Sequence, residues 1–165
     1  MTEIELQNII KTKELPKDEL DDFWGNFFGF LPLFIFLFVS KNNITFLVVF
    51  IILIFYTFYS KFNEKKLIAI VTPFNEEENI SLIKNIAGIQ QWETKTNQDV
   101  LYEFYIPFLF NQPGHKLTLI ASDNAILLNL RNIVSTKGRM PYLFGIDTLK
   151  KRKIIGLISS SEHKF

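Results

Sequence analysis

A chain of 165 residues is about one domain's worth of polypeptide and leaves no room for two large folded units. Apolar residues make up 48% and charged residues 21%, which excludes a disordered or polyanion-coating protein. The absence of cysteine excludes disulfides, thiolate zinc sites, iron–sulfur clusters and cysteine nucleophiles, and a formal net charge of +1 supplies no global field to draw in an anionic polymer.

Residues 1–22 are mostly polar and predict a partly helical segment on the cytoplasmic side. Two apolar blocks follow, Phe23–Val39 and Ile44–Tyr59, holding most of the 18 phenylalanines and no acidic or basic residue. At 1.5 Å per residue such blocks reach ~24 to 27 Å, the short end of what crosses a bilayer core. A small domain cannot surround two helices that are apolar on every face, so the expectation is an α-helical transmembrane hairpin over 23–60, reversing at Ser40–Asn43. Lys11, Lys13 and Lys17 precede the hairpin and Lys61, Lys65 and Lys66 follow it, while the turn offers Lys41 alone. The lysine bias puts both termini in the cytoplasm of a multi-pass inner-membrane protein. The long polar lead and the lack of an A-x-A site argue against a cleavable signal peptide. Lysine outnumbers arginine 15 to 3, a bias expected of AT-rich codons, which suggests a low-GC bacterial source.

Within the first block, Gly25 and Gly29 form a G-x-x-x-G spacing and are candidates for helix contact, with accommodation of the second helix favoured over a dimer seam. Pro32 predicts a kink. The blocks lack the charged groups that ion paths need at membrane depth, so anchoring is the simpler role and an oligomeric pore-forming hairpin the more distant one.

The remaining residues, 61–165, predict a cytosolic two-layer α+β domain, a mainly antiparallel sheet with two helices on one face. Lys66–Thr72 reads as a first strand closed by Pro73. Asn75 with Glu76, Glu77 and Glu78 reads as a capped helix start, with Ile80, Ile83 and Ala87 behind at helical spacing; adjacent carboxylates on a helix diverge by ~100°, so they are no metal site. Trp92–Thr96 alternates, and Val100–Leu109 places Val100, Tyr102, Phe104, Ile106 and Phe108 on one side of an extended chain. Pro107 points to an edge or a bulge there. Lys116–Ala121 and Ala125–Arg131 follow as strands of a meander, turned at Ser122–Asn124. Ser135–Pro141 reads as a basic loop, and from Asp147, read as a cap, the pattern Ile146, Leu149, Lys150, Ile154, Leu157 and Ile158 predicts a last amphipathic helix, with a strand over 153–159 as its rival.

His115 sits in an apparent Gly-His turn and His163 near the terminus, and both are read as solvated. Nucleotide, zinc and serine-hydrolase motifs are absent, and Ser122-Asp123-Asn124 matches an S-D-N element by letters only, so no catalytic residue, metal or cofactor is assigned. From Arg131 onward eight basic residues face two acidic ones. Lys137, Arg139, Lys150, Lys151, Arg152 and Lys153 are therefore candidates for contact with anionic lipid headgroups, each contributing ~1 kcal/mol near a membrane surface. Nucleic acid is disfavoured because no aromatic stacking motif accompanies the basic run.

With its apolar hairpin, Trp92, Gly114–Ile120 and Ala125–Asn129 in that order, the chain resembles in architecture the uncharacterised small bacterial membrane proteins that join a two-helix hairpin to a compact cytosolic domain. That resemblance implies no activity. The sequence alone thus supports a small integral membrane protein holding a non-catalytic interaction or regulatory domain at the bilayer, with a homo-oligomer or another membrane protein as partner. The alternative is a membrane-bound enzyme acting on a lipid or envelope substrate through Arg131, Arg139 and His115, which requires those groups to converge.

Overall fold

The structure is a computed structural model and is described over residues 3–16, 31, 34–39, 42–107, 113–132 and 146–162. Helix α1 (Glu3–Thr12) is followed by helical residues 34–39 and by α2 (Ile44–Asn63). Strand β1 (Ile68–Val71), helix α3 (Glu76–Ile89), strands β2 (Glu93–Gln98), β3 (Leu101–Pro107), β4 (Pro113–Ser122) and β5 (Ala125–Asn132), and helix α4 (Ile146–Glu162) complete the order.

The five strands form one antiparallel sheet in the order β1-β5-β4-β3-β2. Strands β2 to β5 are a meander, as their short connections require, and β1 docks beside β5 at the far edge. Register shifts fall between Thr94 and Thr96 and between Ile106 and Pro107, the second where proline has no N–H to give the ladder.

Strand alternation separates two faces. On one lie Tyr102, Phe104, Leu117, Leu119, Ile126, Leu128 and Leu130, all buried. Helices α3 and α4 pack side by side there, as the approach of Lys84 to the Tyr102 ring and of Lys150 to His115 shows. Leu82, Ile83 and Ile86 of α3 and Ile154 and Ile158 of α4 recur at helical spacing and close this core. Helix α3 starts on a capping box: the Asn75 side chain accepts from the Glu78 N–H, and the Glu78 carboxylate accepts from the Asn75 N–H. The β4–β5 turn supports the same helix end. Asp123 Oδ1 accepts from the Glu76 N–H, and the buried Asn79 amide donates to the carbonyls of Ser122 and Phe74.

The other face carries Leu101, Ile120, Leu127, Thr118, Asn129 and Arg131, also buried. The N-terminal segment belongs to the same folded unit: Ile9 is in the core, with Leu6, Ile10 and Leu15 packed against it. Backbone bonds from Leu15 N–H to the Lys65 carbonyl and from Leu67 N–H to the Lys13 carbonyl tie α1 to the segment that follows α2.

The described helices do not bear out a transmembrane hairpin. Among the described residues no helix is long and apolar enough to cross a membrane. In α2 the apolar run from Ile44 reaches Phe55 before Tyr56 and Thr57, about 18 Å, and about 24 Å if carried to Tyr59, against a ~30 Å hydrocarbon core. Of the first block only Leu31 and residues 34–39 are described; Gly25 and Gly29 lie outside the described residues. The fold is an α+β domain with a five-stranded antiparallel sheet and accompanying helices, and the integral membrane protein, its inner-membrane location and the spanning hairpin in the fold class are withdrawn. The bacterial source rests on composition alone and gains no support from the fold.

Candidate functional site

Two features of the structure need a physical explanation: a polar joint buried under the sheet, and an apolar helix that the joint carries.

The joint is built by the second face of β4 and β5. Arg131 Nε lies 3.6 Å from Glu64 Oε1, and the two side chains keep 1% and 5% of their accessible surface. One position of alternation away, the Asn129 amide donates to the carbonyls of Glu64 and Lys66 at 2.8 and 2.9 Å. These bonds fix the three residues that leave α2, and the bridge between Glu14 and Lys66 adds the N-terminal segment. Thr118 Oγ1, cross-strand from Asn129, and Asn129 Oδ1 are buried with no hydrogen-bond partner among the described residues. Nearer solvent, Lys116 and Glu103 pair at 2.7 Å.

Helix α2 leaves this joint with a surface that no soluble core covers. Ile44, Phe46, Val48, Val49, Ile51, Ile52, Phe55, Tyr56, Phe58 and Tyr59 are all exposed, Ile52 at 61% and Phe55 at 71%. At ~100° per residue, all of these except Phe46 fall within an arc of about 180°. Leu47, Phe50, Leu53 and Ile54 are half-buried on the other side, where the Phe36 ring stacks on Phe50 at 5.5 Å with planes 1° apart. Phe36 therefore covers part of that side of α2, while the arc opposite is exposed.

The expected site residues are scattered. His115, read as solvated, is 1% exposed, because β4 begins at Pro113 and places it within a strand under α4. Lys150 Nζ stands 3.1 Å from His115 Nδ1; an ammonium has only protons to offer, so the ring nitrogen accepts. Lys150 and Lys151 are half-buried, whereas Arg152 and Lys153 are exposed; Lys137, Arg139 and His163 lie outside the described residues. Lys150 is thus partly used inside the fold, and the basic run does not present one uniform face.

The enzyme alternative asked for His115 and Arg131 to converge. His115 pairs across the ladder with Asn132 and Lys116 with Arg131, so His115 and Arg131 project to opposite faces of the sheet. A ≈ 290 Å³ groove between α3 and the β2–β3 edge is lined by Lys84, Gly88, Gln91, Trp92, Tyr102 and Phe104 among others. Among the described residues that line it, it offers aromatic surface and the Lys84 cation but no carboxylate or histidine to partner it. Among the described residues no group of three acidic or histidine side chains is arranged to hold a metal.

Sequence reasoning missed Glu64 and Arg131 as a pair, because 67 positions separate them and neither stands in a local motif. Comparison with protein-family models, curated proteins and solved structures finds no match to this chain.

Proposed function

We propose that the protein is an interaction module whose working surface is the uncovered apolar arc of α2, held at a fixed angle to the α+β domain by the Glu64–Arg131–Asn129 joint. The observation that carries this reading is the arc of exposed aromatic and branched side chains along one face of α2 from Ile44 to Tyr59. Contiguous apolar surface of this extent marks an interaction site, since its exposure to water costs ~25 cal/mol per Å². The joint supplies the second requirement of a binding element, rigidity, because a surface presented without internal freedom loses less entropy on association.

The test uses the natural lack of cysteine. An environment-sensitive fluorophore is attached at Ile52→Cys in the full chain, and at Glu77→Cys on the exposed first turn of α3 as a control. Short-wavelength emission, that of an apolar environment, is expected at position 52 and the emission of a hydrated dye at 77. Hydrated emission at both positions contradicts it.

A further inference from the structure

We propose that the surface covering the α2 arc is the same arc of a second copy of this chain, an inference that rests on the reading of α2 as the working surface. Three observations favour a second copy over other occupants.

The first is area. The nine large apolar side chains of the arc between Ile44 and Tyr59 are 39% to 72% exposed. At about 200 Å² for a large side chain they offer on the order of 1,000 Å², against the ~800 Å² per partner of a standard stable interface. One face of one helix therefore carries enough surface for a specific pair.

The second is self-complementarity. No acidic or basic residue lies between Ile44 and Tyr59, so the arc meets its own copy without burying an unpaired charge. A two-fold pair uses one patch twice, which is the commonest arrangement in oligomers. The third is composition and packing. Phe55, Tyr56, Phe58 and Tyr59 of the arc are of the aromatic type enriched in interface cores, and the Phe36–Phe50 stack shows such rings of this chain closing against a neighbouring helical segment.

The test co-expresses two differently tagged full-length chains, each bearing Ile52→Cys, and oxidises them with copper–phenanthroline. Val48→Cys and Phe55→Cys chains are treated in parallel, so that misfolding of one variant does not decide the outcome, with Glu77→Cys as control. The expected result is a covalent dimer carrying both tags from at least one arc position and none from position 77. No mixed dimer from any of the three arc positions overturns the second copy. If emission at position 52 is nevertheless that of an apolar site, the arc is covered by something else: quenching by brominated lipid assigns a lipid surface, and its absence a different protein. Both outcomes reject self-association while leaving the reading of α2 as a working surface in place.

Discussion

Arg131, in the last full turn of alternation on β5, reaches Glu64, the first residue after α2, with Nε 3.6 Å from Oε1 and both side chains almost out of contact with water. The pair joins the sheet to the helix that carries the apolar arc, so its loss is predicted to have two effects. Removing one partner leaves the other charge buried, and Glu64→Ala is expected to destabilise the fold by ~3 to 5 kcal/mol. The double replacement Glu64→Leu with Arg131→Met removes both charges and is expected to recover most of that loss. Denaturant unfolding of the three chains, followed through the tryptophans, checks the order; a double variant no better than Glu64→Ala contradicts it.

Asn129 has a different task from the charge pair, because its amide bonds the carbonyls of Glu64 and Lys66 and so sets the path of the chain leaving α2. Asn129→Ala removes the donor from the buried Glu64 carbonyl, at ~1 to 3 kcal/mol, and from the part-buried Lys66 carbonyl, at less. Amide exchange is expected to rise at Leu15 and Leu67, whose N–H groups bond Lys65 and Lys13 across the joint, and to stay slow at Ile83 and Ile86 in α3. A uniform rise throughout the chain would mean that Asn129 supports the whole fold and not the joint.

Thr118 Oγ1 lies buried with no hydrogen-bond partner among the described residues, so the hydroxyl costs its desolvation with no bond there to offset it. Thr118→Val keeps the shape and is predicted to be neutral or stabilising by up to ~1 kcal/mol, measured as a shift of the thermal midpoint. A loss larger than ~1 kcal/mol would show that the hydroxyl is bonded.

The Asn75–Glu78 capping box makes an independent prediction for α3. Asn75→Ala removes the acceptor for the Glu78 N–H and is expected to cost about 1 kcal/mol, whereas Asn75→Ser preserves most of the cap. Urea unfolding separates the two variants; equal midpoints would remove the cap from the account.

What was legible in the sequence was local. The alternation of Tyr102, Phe104 and Ile106 marks a strand because side chains change face at every residue. Asn75 with three glutamates marks a helix start because those groups satisfy free N–H donors and the helix dipole. What was hidden depends on distant partners. Nothing around Gly114-His115 indicates that Lys150, 35 residues later, would lie over the ring, so a buried strand position read as a solvated turn. Leu6, Ile9 and Ile10 stand in a segment rich in acids, yet their helical spacing buries one stripe against the core. The apolar blocks raised the opposite difficulty. Hydropathy established that Ile44–Tyr59 is poorly accommodated by water, but not what replaces the water, and the choice of lipid spanning went beyond the length of apolar helix available.

Thiol labelling along α2 in cells expressing the full chain tests the central claim most directly. Single cysteines at Val48, Ile52 and Phe55 are compared with one at Glu77, all four being exposed in the isolated chain, using a water-soluble maleimide. Covered by its partner, the arc is predicted to react at least tenfold more slowly than position 77 at all three sites. Equal rates at all four would show that water, and no partner, covers the helix.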